Sequence, residues 1–127
     1  MNINPNQPTV VPNTNLLVSS ITSGVRRIHG SSFNMTYAGL WAQQYAKIQY
    51  IDEDTYAYRD AAFDSHWGRI YAGALLSSGV VPGPLQDLQI IINKTEPNEP
   101  NMKAAAMVMQ AYYFSVLTDM WGNIPYF

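Results

Sequence analysis

Met102-Lys103-Ala104-Ala105-Ala106-Met107-Val108-Met109-Gln110-Ala111-Tyr112-Tyr113-Phe114-Ser115-Val116-Leu117-Thr118-Asp119-Met120-Trp121 is the stretch on which the fold turns. Met102, Ala106, Met109, Tyr113, Val116 and Met120 recur alternately four and three residues apart. That spacing draws one apolar line down about five turns of helix. Gly122 stands where a left-handed C-terminal residue belongs, and Pro125 follows as a stop. Tyr112, Phe114 and Leu117 add apolar surface away from the line. A helix of this kind needs cover on more than one side.

Upstream, the same periodicity recurs. Leu17, Ile21, Val25 and Ile28 predict a first helix over 14–28, capped by Asn13 or Thr14 and ended by Gly30. Tyr37, Leu40, Trp41, Tyr45 and Ile48 predict a second over 33–48. Phe63, Trp67, Ile70, Tyr71 and Ala74 predict a third over 60–76. Gly79, Pro82, Gly83 and Pro84 break the chain. Pro84 can then open a short helix with Leu85, Leu88, Ile91 and Ile92 inside. Residues 1–13 carry three prolines and read as an extended arm. No run alternates long enough to predict a strand. The expectation is an all-α chain, arm 1–13 and helices 14–127, with short loops favouring antiparallel helix pairs. Tyr37 and Tyr71 are spaced at the tetratricopeptide period, but most of that repeat's signature is missing.

The 127 residues make one domain or part of one. The tail from Ile124 to Phe127 is apolar, so the chain reads as the front piece of a larger domain whose remainder is missing. An apolar patch is expected near the last helix and this tail. Hydrophobic residues make up 47% and charged residues 13%, which favours a packed core over disorder. Seven basic residues against nine acidic ones supply no basic patch for nucleic acid. Cysteine is absent, which removes disulfides and thiolate chemistry. The start has no signal-peptide character.

The search for chemistry excludes more than it finds. Asp64-Ser65-His66 are consecutive on a helix, so their side chains diverge. Gly30-Ser31-Ser32-Phe33-Asn34 begins like a nucleophile elbow and lacks its second glycine. Asp52-Glu53-Asp54 fails as a calcium loop, because Ala57 and Phe63 occupy positions that need Gly and Glu. Two histidines, His29 and His66, are too few for a catalytic zinc. The expectation is no catalytic residue, no metal and no cofactor. Trp41, Trp67 and Trp121 have the flat faces that stack on sugar rings, yet each lies on or beside an apolar stripe, where core packing is the commoner role. Asp119 breaks a local rule, since a negative charge in a last helical turn opposes the dipole. Either it is held by amides beyond Gly122 or by Arg26, Arg27 or Arg69, or it contacts a ligand. The structural role is the favoured one.

Three stretches together resemble one family. They are Asn2-Ile3-Asn4-Pro5-Asn6-Gln7-Pro8-Thr9 with Val11-Pro12 and Leu16-Leu17, the aromatic runs Trp41-Ala42-Gln43-Gln44-Tyr45 and Trp67-Gly68-Arg69-Ile70-Tyr71, and Leu117-Thr118-Asp119-Met120-Trp121-Gly122-Asn123-Ile124-Pro125-Tyr126. The last resembles the signature of SusD/RagB-type proteins. The resemblance covers essentially the whole chain. It implies a helical, tetratricopeptide-like scaffold and a non-enzymatic lipoprotein on the extracellular face of the outer membrane. Such a protein captures oligosaccharide, or peptide in the RagB-like branch, beside a SusC-like TonB-dependent transporter. The lipid anchor would lie outside this chain. Thr118, Asp119, Gly122, Pro125 and Tyr126 carry over as a structural motif, and no ligand residue carries over. A helical-repeat scaffold for protein partners, with no small ligand, is the competing reading.

Overall fold

The computed structural model describes residues 11–57, 59–76, 79–94 and 99–126. Most of the expected arm, residues 1–10, lies outside the described residues, as do Ser77, Ser78 and Phe127. The chain is all-α apart from one short hairpin. Helix α1 spans Asn13–His29. A π-helical segment, Ser31–Ala38, leads into a single α turn, α2, at Gly39–Trp41. A 3-10 turn at Asp60–Phe63 runs into α3, Asp64–Trp67, and then into a second π-helical segment, Gly68–Ala72. Strands β1, Ala74–Leu76, and β2, Gly79–Val81, pair antiparallel with Ala74 opposite Val81. Helices α4, Pro84–Lys94, and α5, Pro100–Trp121, complete the order.

The core lies where α1, α4 and α5 meet. Leu85, Leu88 and Ile91 of α4 and Tyr113 and Leu117 of α5 are fully buried there. The inner face expected for α4 is the observed one. On α5 the buried line runs through Ala106, Gln110, Tyr113, Phe114 and Leu117. Phe114 and Leu117, expected to leave apolar surface open, are therefore inside. Their cover comes from α4, from Tyr71 and from the C-terminal tail, where Tyr126 packs its ring 4.8 Å from that of Phe114.

On α1 the buried line is Ser20, Gly24 and Ile28, while Leu17, Ile21 and Val25 are only half-buried. Tyr113 explains this. Its hydroxyl donates to the Ser20 carbonyl at 2.9 Å, and its ring lies so close to Gly24 that a methyl group there would overlap it. Ser20 in turn donates from Oγ to the Pro84 carbonyl at 2.9 Å. Small residues thus let α5 and α4 approach the α1 backbone. The start of α1 has no side-chain cap, so neither Asn13 nor Thr14 serves as one, and Pro12 holds the capping position.

Two predicted helices are shorter than their spacing suggests. The 33–48 helix stops at Trp41, because Gln43 takes a positive φ of 55° and turns the chain out. Tyr45 and Ile48, expected on its stripe, are exposed. The 60–76 helix ends at Ala72, where Gly73 at φ 85° breaks the winding and β1 begins. Gly122 does end α5, with φ 75° and its N–H donating to the Thr118 carbonyl at 2.8 Å.

Candidate ligand cleft

Between the end of α1, the first π-helical segment and the last turns of α5 lies a cleft of about 690 Å³. That is within the ordinary range for a small-ligand site, which runs from about 300 to 1,000 Å³. Ile28 and His29 come from α1, Phe33 and Asn34 from the π-helical segment, and Trp41 from α2. Phe63 closes one side, and Tyr112, Val116, Asp119 and Met120 come from α5. Phe33 and Tyr37 of the π-helical segment and Trp41 of α2 stand four residues apart, and all three rings meet Phe63. His66 sits buried among Phe33, Tyr37 and Phe63, with ring centroids 5.4–6.3 Å away. The cleft wall is therefore an aromatic cluster rather than a mobile loop.

The polar groups of the cleft are few. His29 Nε2 and the Tyr112 hydroxyl share a hydrogen bond of 2.6 Å, and their rings lie nearly parallel. Each fixes the other at the rim. Asn34 is exposed beside them. Asp119 is exposed and, among the described residues, has no hydrogen bond or ion pair. The favoured structural role for it is thus not seen. Arg26 and Arg27 line a separate groove, while Asp119 shares the cleft lining with Val116 and Met120.

The three tryptophans divide. Trp67 stacks on Tyr71 at 4.5 Å and meets Trp121 edge-on at 5.4 Å, and both pack against the core. Trp41 alone of the three lines the cleft. The rest of the C-terminal motif knits the tail to the body. The Pro125 carbonyl accepts from the Tyr71 hydroxyl at 3.1 Å, and the Tyr126 hydroxyl donates to Gln110 Oε1 at 3.3 Å. Thr118 supplies the carbonyl that ends the helix on Gly122.

The other chemical candidates stay apart. Ser65 is exposed while His66 is enclosed by rings, so the Asp64-Ser65-His66 run does not converge. The 52–54 acids are tied to nearby groups. Asp52 pairs with Arg59 and Glu53 with Lys47, whose ammonium holds the Glu53 carboxyl below the usual range. Asp54 accepts from the Lys47 amide. Among the described residues no three His, Cys, Asp or Glu side chains gather as metal ligands. No helix among them is long and apolar enough to cross a membrane.

A family model described as SusD-like, "starch-binding associating with outer membrane", matches residues 5–127. The chain belongs to the SusD-like family. The match takes in both halves of the fold and the whole C-terminal motif. No curated protein and no solved structure matches the chain. Starch or glycan binding in association with the outer membrane is thus the family's shared description. Sequence reasoning missed His29, Phe33, Asn34, Phe63 and Tyr112 as cleft residues. Only the aromatic spacing of Phe33 and Tyr37 ahead of Trp41 signalled part of it.

Proposed function

We propose that this chain is the glycan-capturing, non-enzymatic part of a TonB-dependent uptake system at the extracellular face of the outer membrane. In this reading it works beside a SusC-like transporter and is held at the membrane by a lipid anchor. One observation carries the choice of site: an aromatic plane, Trp41, shares a preformed cleft with an unpaired carboxylate, Asp119. Sugar rings need that pair of chemistries. Their C–H faces stack on an aromatic plane, and their hydroxyls donate to a carboxylate. Asn34, Tyr112 and His29 add polar contacts at the rim. A free peptide has no comparable need for a flat apolar plane.

Calorimetric titration of the chain with maltooligosaccharides tests the proposal. Trp41→Ala should weaken binding about tenfold, the equivalent of ~1.4 kcal/mol, with some loss of stability because its ring also packs on Tyr37 and Phe63. Trp67→Ala should lower stability and leave binding unchanged, because Trp67 packs against the core and does not line the cleft. Equal binding by wild type and Trp41→Ala would remove the cleft from the reading. Co-purification with a SusC-like TonB-dependent transporter tests the partner.

A further inference from the structure

The outer face of α1 carries a second feature that the cleft does not use. Ser19, Thr22, Ser23, Arg26 and Arg27 line a groove of about 500 Å³. Positions 19, 22, 23 and 26 fall on one helical face, at three- and four-residue steps. Ser19 and Thr22 are exposed, and their hydroxyls have no partner among the described residues. Arg69, from the second π-helical segment, lies close enough to Arg27 to act on it electrostatically, as does Arg26. None of the three guanidiniums has an ion pair or hydrogen bond among the described residues. Burial, then the charges of Arg69 and Arg26, lower the Arg27 pKa from its ordinary value.

In a chain of net charge −2 with only seven basic residues, Arg27 with Arg26 and Arg69 both acting on it is a concentration of charge. The negative end of the α1 dipole accounts for Arg26 and Arg27 in its last turn. It does not account for Arg69, which stands on another element and adds repulsion. An anion seated among them would relieve that repulsion. The lining also says what kind of anion. No aromatic or aliphatic side chain lines the groove, so it lacks the anchor a protein partner would use. A row of hydroxyls beside forked guanidiniums suits a hydroxyl-rich ligand that bears an acid group.

We propose that the outer face of α1 binds the acidic group of a saccharide, a carboxylate or a sulfate ester, between Arg26 and Arg27, with Ser19, Thr22 and Ser23 meeting its hydroxyls. The proposal rests on the glycan-capturing reading and adds charge selection to it. The test titrates the 127-residue chain with oligogalacturonate, with a maltooligosaccharide of equal length and with inorganic phosphate. The acidic oligosaccharide should bind at least tenfold tighter than the neutral one, and added salt should narrow that margin. Arg26→Gln and Arg27→Gln, which remove the two guanidiniums that line the groove, should each erase most of the margin, while the neutral sugar's affinity stays unchanged. Arg26→Lys should keep part of it, which distinguishes a charge effect from a folding one. Equal binding of the two sugars overturns the inference and leaves the glycan reading standing. Binding of neither sugar overturns both. Phosphate binding as tight as oligogalacturonate would show an ion site with no saccharide recognition and would also overturn it.

Discussion

The α1–α4–α5 core and the 31–73 segment solve the same problem, burial of apolar surface, in different ways. The core uses regular helices whose facing residues are either large, such as Leu88 and Tyr113, or very small, such as Gly24. The 31–73 segment uses π turns, single α turns and rings packed edge to face around Phe63. Regular packing leaves no room. Ring packing among irregular turns leaves a cleft, because flat groups meeting at steep angles cannot fill space as branched aliphatics do. The stable part of the molecule is therefore expected to be the α-helical one, and the cleft lies where its α1 and α5 ends face the irregular segment.

The hardest test of that contrast is a deletion in the core. Leu88→Ala removes a fully buried side chain from α4 and should cost about 2–5 kcal/mol. Chemical denaturation should show the loss as a lower midpoint for the whole chain. If instead the aromatic signals of the 31–73 segment keep their midpoint while the helical signal falls, the two regions are independent and the contrast is sharper than drawn here.

Gly24 tests the close approach more specifically. Alanine is the better helix former by about 0.5–1 kcal/mol, so a solvent-facing Gly24→Ala would stabilise. Here the new methyl meets the buried Tyr113 ring, and overpacking of this kind costs about 1–3 kcal/mol. The expected sign is destabilising. Tyr113→Leu should cost less in the Gly24→Ala background than alone, because the overlap is then gone. A thermodynamic cycle that adds without coupling would mean the helices shift apart at no cost.

The same contact predicts a dependence on alkaline pH. Burial first, and then neighbouring Tyr112, push the Tyr113 hydroxyl up to about 12, against a hydrogen bond to Ser20 that acts the other way. The folded protein thus holds this proton more tightly than the unfolded chain. Tyr113 then contributes stability below pH about 10 that is lost as pH rises toward 12. The loss should be on the order of 1–3 kcal/mol, and Tyr113→Phe should flatten it. Unchanged alkaline unfolding in Tyr113→Phe would assign the effect to other groups.

How far the sequence foretold these regions follows the same division. The α4 face was legible in full, since Leu85, Leu88, Ile91 and Ile92 keep helical spacing and nothing competes. The extent of α5 was legible too, with Gly122 as its end. Its exact inner face was not, because Met, Tyr, Phe and Leu surround the helix and spacing alone cannot choose among them. On α1 the stripe of Leu17, Ile21 and Val25 misled, since hydrophobicity ignores the close approach that Ser20 and Gly24 allow. In the 31–73 segment, aromatic spacing indicated helix and was right up to Trp41. The turn at Gln43 carries no glycine or proline to announce it. Of the cleft, the sequence named Trp41, with Trp67 and Trp121, for the flat faces that stack on sugars although core packing was the favoured role, and Asp119 because it opposes a dipole although a structural role was favoured. It could not offer His29 or Tyr112, whose pairing joins residues 83 apart in the chain.

The smallest effect expected is at that turn, and it separates strain kept for function from strain of no consequence. Gln43, Tyr50 and Tyr56 all hold φ near 55° without being glycine. Such a conformation costs a residue with a side chain about 1 kcal/mol or more, and glycine adopts it freely. Gln43→Gly relieves the strain but frees the unfolded chain and gives up the long Nε2 to Tyr56 hydroxyl contact of 3.3 Å. The net change in stability should be within about 1 kcal/mol of zero, on the stabilising side. Binding gives the more telling readout. Tyr56 donates to the Trp41 carbonyl at 3.0 Å, so the loop that Gln43 starts also holds the cleft's aromatic plane from behind. If the strain serves to set Trp41, Gln43→Gly should bind maltooligosaccharide a few-fold more weakly while melting no lower. If affinity is unchanged, the turn merely ends a helix, and the irregular half of the molecule owes its cleft to ring packing alone.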